Sequence, residues 1–161
     1  MTFGPSPVDL CPVTGFSLPG DAGAMSQEEA VMNVLVTEAH FGASDRLVQR
    51  LRELGVRVTA CHERVGFCKA LQLGSRCPLD DYTDTVDLVV DVRGTNEELT
   101  TREYGMICGE RAKRPVWVVG SDPDVPVVVP PAARDFAIPA TEDELLLRCQ
   151  RRYVTIDRPC L

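Results

Sequence analysis

The chain reads as a single doubly wound α/β domain, a parallel sheet of about five strands covered by helices on both faces. Three observations carry that reading. Short strand-like runs alternate with helical patterns from residue 33 onward. The runs are continuously apolar, as in strands buried on both faces, not alternating as in half-solvated ones. Residues 86–120 also spell one complete βαβ unit: Val86-Asp87-Leu88-Val89-Val90-Asp91-Val92-Arg93, a helix start at Thr100-Thr101-Arg102-Glu103, and Pro115-Val116-Trp117-Val118-Val119-Gly120.

Residues 1–30 form a separate compositional zone. Pro5, Pro7, Pro12 and Pro19 interleave with Gly4, Gly15, Gly20 and Gly23, without a period of 2 or 3.6. This is an N-terminal arm with no pattern for burial. The domain proper is 31–161.

Asn33-Val34-Leu35-Val36-Thr37 is the first strand. Ser44 or Asp45 caps the helix that follows. Leu47, Val48, Leu51 and Leu54 share one face of it, and Gly55 stands where a glycine ends a helix. Residues 56–60 make the second strand, parallel to the first through a right-handed crossover. Residues 67–73 suit a short helix, which Pro78 must interrupt. The third strand is expected to end at Asp91, with its carboxylate directed into the crevice. The fourth runs to Gly120. Val127-Val128-Val129 is extended within a proline-rich connection, and Phe136-Ala137-Ile138 is the fifth strand. Thr141-Glu142-Asp143-Glu144 is a capping box for the last helix, whose inner face carries Leu145, Leu146, Cys149 and Tyr153. Five strands in this length suit a Rossmann-like, flavodoxin-like order, 2-1-3-4-5. Ligands then bind beyond the carboxyl ends of the strands, at the switch point between the first and third.

Composition bounds the function. The 161 residues carry a formal net charge of -7, with a pI of about 4.8, so the surface repels nucleic acid and anionic lipid at long range. Arg111, Lys113 and Arg114, and again Arg148, Arg151 and Arg152, cluster at helix ends, where cations suit the helix dipole. No apolar run approaches the roughly 18 residues of a membrane span. The N-terminus lacks a basic segment followed by an apolar one, so a cytoplasmic protein is expected. No cofactor is expected.

The strand ends nominate the site. After the first strand come Glu38, His40, Gly42 and Ser44, a carboxylate, an imidazole and small residues before a helix N-terminus, where free amides attract a phosphate. No G-x-G-x-x-G or Walker motif is present. Asp91 and Glu103 are the candidate catalytic carboxylates, although Thr100-x-x-Glu103 is itself a capping box that accounts for Glu103 structurally. Arg93 and Ser121, at the ends of the third and fourth strands, complete the expected ligand-binding set. The partner read from this set is a nucleoside- or nucleotide-like small molecule. A homodimer through Trp117 or residues 127–129 is an oligomeric alternative.

Seven cysteines are present. Cys61, Cys68 and Cys77 could meet Cys108 around a metal, but no C-x2-C pair anchors them, and buried cysteines acting as small hydrophobes are the simpler expectation.

Two resemblances bear on these residues. Asp91, Thr100, Glu103, Gly105 and Arg114-Pro115-Val116 resemble the nucleoside 2-deoxyribosyltransferases and related small N-glycosidases, and more loosely TIR-like NAD-cleaving domains. The resemblance implies that Glu103 is a nucleophile attacking an anomeric carbon while nearby carboxylates hold the base. Leu99 and Ile107 depart from that family's pattern. Asp87-Leu88-Val89-Val90-Asp91 and Phe136-Ala137-Ile138-Pro139 resemble response-regulator receiver domains. That second resemblance implies a degenerate regulatory or interaction domain, since Glu38 lacks its acidic neighbour and Gly120 and Ile138 replace the hydroxyl and lysine positions.

Overall fold

The computed structural model describes residues 31–154 apart from 63–65, 82, 84, 96, 97 and 125, and leaves out the side chains of 152–154. The N-terminal arm and the expected inward Tyr153 therefore lie outside what is described. Five strands, β1 (Asn33–Glu38), β2 (Arg57–Ala60), β3 (Leu88–Arg93), β4 (Val116–Gly120) and β5 (Ala137–Ala140), form one sheet in the order β2-β1-β3-β4-β5. Every neighbouring pair is parallel. This is the flavodoxin-like α/β arrangement.

Alternation along each strand divides the core in two. Val34, Val36, Leu88, Val90, Val92 and Val119 face α1 (Asp45–Glu53) and α3 (Glu142–Val154), meeting Leu47, Leu51, Leu145, Leu146 and Cys149. Leu35, Val89, Val116 and Val118 face α2 (Tyr104–Arg111), whose Met106 is fully buried among them. One helix does not cover that second face. Leu79 of the β2–β3 connection and Val127, Val129 and Ala133 of the β4–β5 connection complete it.

Local details depart from the sequence expectations. The expected helix over 67–73 is only a 3-10 turn, Lys69–Leu71, because Phe67, Leu71 and Leu73 find no apolar surface and stand exposed. β3 runs past Asp91 to Arg93, because Asp91 pairs in register with Thr37 on one side and Val118 on the other. β5 lies slightly later than expected and includes Pro139, which the sheet edge tolerates because an edge strand has one unpaired side. Ser44 sits at the start of α1 without capping it through its side chain. Gly55 has the positive φ of 77° expected after a helix end. Trp117 and residues 127 and 129 pack partly against the chain's own cores.

Candidate functional site

The carboxyl edge of β1 and β3 gathers most of the residues nominated by the sequence, but it turns the charged ones inward. Asp91 shares a face of β3 with Val89 and Arg93, beneath α2. Its side chain is completely buried and does not open into the crevice, which corrects the expectation from the sequence. Thr37, its register partner on β1, donates its hydroxyl to Asp91 Oδ1 at 2.5 Å.

Glu103 is equally buried. It closes the capping box with Thr100, accepting the Thr100 amide on Oε2 at 2.6 Å. Its other oxygen lies 3.4 Å from Arg93 Nε, and both side chains have no exposed surface. Arg93 Nη2 donates to the Glu98 carbonyl at 2.9 Å. Glu103 is an electrostatic neighbour of Asp91 and opposes its ionisation. Asp91 Oδ2 and Glu103 Oε1 are both buried without a hydrogen-bond partner among the described residues. Burial pushes the Asp91 carboxyl up to about 7, and Glu103 adds to the rise, while the Thr37 hydroxyl and Arg93 oppose it.

The neighbouring loop closes on itself. Glu38 accepts the Ser44 amide at 3.2 Å and the Ser44 hydroxyl at 2.8 Å on one oxygen, and Arg102 Nη2 at 2.6 Å on the other. Partial burial works to raise its pKa, yet the bonds from Ser44, Arg102 and Gly42 prevail and hold the carboxylate below its ordinary range. The donors expected to hold a phosphate thus already face a carboxylate. Gly42 turns with a φ of 82°. Arg102 lies 5.7 Å over the Phe41 ring, and Phe41, Tyr104, His40 and Ser121 are exposed around this edge. The Ser121 amide extends the ladder to the Arg93 carbonyl at 2.8 Å.

Arg102 and Thr37 were missed by sequence reasoning. Arg102 could have been noticed as the only cation inside the capping box. Thr37 becomes visible only once the register of β1 on β3 is known.

A cleft of about 540 Å³ also opens at the carboxyl edge, but over β4 and β5. Arg46, Arg50, Gly120, Asp122, Thr141 and Glu142 are among its lining residues, and none of the sequence-nominated residues is. Glu142 is nearly buried and binds both Arg46 and Arg50. Among the described residues, no three His, Cys, Asp or Glu side chains are grouped so as to hold a metal ion, and no helix is long and apolar enough to cross a membrane.

A scan of the chain against protein-family models finds no match, and a search of curated proteins finds none either. The fold and the buried Thr37–Asp91–Glu103–Arg93 cluster therefore define the class: a flavodoxin-like α/β domain with a carboxyl pair beneath its switch point.

Proposed function

We propose that the domain binds a nucleoside- or nucleotide-like molecule at the carboxyl edge of its sheet and acts on its N-glycosidic bond. The observation that carries this reading is the Asp91–Glu103 pair sharing Arg93 under the β3–α2 turn. Two carboxyls and a guanidinium are expensive to bury, and apolar residues would fill such a space at no loss of stability. A strongly perturbed acid at a switch point, here Asp91, is more economically explained by chemistry.

The roles follow from the placement of the two acids. Glu103 attacks the anomeric carbon through a carboxyl oxygen, the C–N bond breaks, and its electron pair leaves with the base. Asp91, protonated near neutrality, returns a proton to the departing base. The resulting glycosyl ester is then released by water or by a second base. Since both side chains are fully buried, entry of the ligand requires the Thr100 amide to give up Glu103 Oε2. Phe41 and Tyr104 offer exposed rings on which a base can stack.

Calorimetry with a panel of nucleosides, mononucleotides and NAD, followed by chromatography for free base, tests this. The discriminating variant is Glu103→Gln. Glutamine preserves a capping box, so the fold and ligand binding persist while turnover is lost. Absence of binding across the panel overturns the reading, and unchanged turnover in the variant removes Glu103 from it. A second reading, a non-catalytic interaction domain of receiver-like type, draws support from the complete enclosure of Asp91, which leaves no accessible phosphoacceptor. It predicts no covalent phosphate after exposure to Mg²⁺ and a small phosphodonor.

A further inference from the structure

Two arginine groups that lie far apart in the sequence meet in the fold. Arg114 stands just before β4, and Arg148 and Arg151 belong to the C-terminal half of α3. The dipole of α3 accounts for Arg148 and Arg151 as helix-end cations. It does not account for their meeting Arg114 at one cleft of about 390 Å³, which opens at the amino edge of the sheet beside Asp87 and Leu88.

Asp87 is the one carboxylate residue lining that cleft, and it already accepts the Asn33 amide at 2.9 Å. Three guanidiniums therefore face one carboxylate, an excess of two positive charges on a chain whose formal net charge is -7. Arg114 Nε is buried with no hydrogen-bond partner among the described residues. Gathering like charges and leaving a buried donor unpaired both cost stability, and an anion in the cleft relieves both. The rest of the lining is largely apolar and includes Trp117, half-buried on β4. Trp117, Arg148 and Arg151 also border an adjoining cleft of about 290 Å³. There Ile138, the register partner of Trp117 on the edge strand, and Leu147 of α3 stand half exposed.

We propose that this amino-edge cleft binds a small phosphate monoester, with its dianion among Arg114, Arg148 and Arg151 and its apolar part over Trp117 toward Ile138 and Leu147. A phosphate monoester carries close to two negative charges at neutral pH, which matches the excess that the cleft presents. A carboxylate brings only half of that charge. Guanidiniums bond phosphate oxygens through paired N–H groups, so they orient the group as well as attract it. The adjoining apolar cleft then selects an organic ester over the free ion. Both clefts have the dimensions of small-ligand sites, roughly 300–1,000 Å³. The site lies at the opposite edge of the sheet from the turn above Asp91 and Glu103, and the proposal is independent of the carboxyl-edge reading.

Trp117 is the only tryptophan in the chain, so its emission reports on this cleft directly. The test is a titration of the full chain with phenyl phosphate, inorganic phosphate and phenol, followed by tryptophan fluorescence and by calorimetry. Phenyl phosphate should change Trp117 emission saturably, inorganic phosphate should bind about tenfold more weakly or worse, and phenol should not bind. Arg114→Gln and Arg148→Gln should each weaken phenyl phosphate about tenfold or more while circular dichroism stays folded. Arg52→Gln, which removes the same charge outside the cleft, should leave the affinity unchanged. No heat and no emission change at millimolar phenyl phosphate overturns the proposal, as does phenol binding as tightly as its phosphate. Heat with silent Trp117 emission and full affinity in both glutamine variants also overturns it, by moving the anion to another site such as the carboxyl edge.

Discussion

Asp91 shows how far a single buried acid can govern the behaviour of the whole chain. It keeps its proton in the fold up to about pH 7, whereas an ordinary aspartate releases it near 3.8. Between those values the folded chain holds the extra proton, so this contribution to stability is complete below the lower pH and disappears as pH rises through the upper one. Asp91→Asn mimics the protonated form and removes the dependence. Urea melts across that window should show the variant gaining on the parent as pH rises, by at most ~1.4 kcal/mol per pH unit. Parallel curves would assign the proton elsewhere. The buried cluster was only half legible in the sequence. Glu103 was legible as a cap because a capping box is a contact across three residues. Asp91 was misread because its partner Thr37 is 54 positions away. The period of two along β3 held the missing clue: residues 89, 91 and 93 share a face, so once Val89 is core, Asp91 and Arg93 must be core as well.

At the scale of the element, α2 lies closer to the sheet than a helix with ordinary side chains could. A Cβ on Gly105 would collide with Thr37 Cγ2, and one on Gly109 would come within 2.7 Å of Val89 Cγ2. These glycines are required by space and not by backbone angle. Alanine at Gly105 gains up to ~1 kcal/mol in helix propensity. It loses ~1–3 kcal/mol to overpacking, because the neighbours it meets belong to the buried face of β1 and to Cys61. Overpacking wins, and Gly105→Ala should lower the denaturation midpoint while displacing Thr37 from Asp91. A variant as stable as the parent would mean that α2 can shift outward freely. The apolar runs made β1, β3 and β4 legible in the sequence, and the capping boxes did the same for the starts of α2 and α3. The 67–73 segment was misassigned because a few apolar residues at helical spacing form a helix only where a surface exists to receive them, and here none does.

For the whole molecule, the unequal cover of the two sheet faces sets where the domain opens. β3 is buried along its full length, and its neighbours β1 and β4 nearly so, whereas the edge strands β2 and β5 are short and partly exposed. One face is closed by two amphipathic helices. The other depends on α2 and on connections whose regular structure, among the described residues, is limited to short 3-10 turns. Local opening costs least where little apolar surface must be uncovered and few backbone bonds must break, and both conditions meet in residues 66–81. Native-state hydrogen exchange should therefore separate two sets of amides. Those of Leu35, Val36, Val89, Val90 and Val118 should exchange only with global unfolding and accelerate steeply with denaturant. Those of 66–81 should exchange orders of magnitude faster through openings almost insensitive to low denaturant. If the 66–81 amides joined the slow set, the crossover would be held by packing, and exposed Phe67, Leu71 and Leu73 would have to be covered in solution by something other than the described fold.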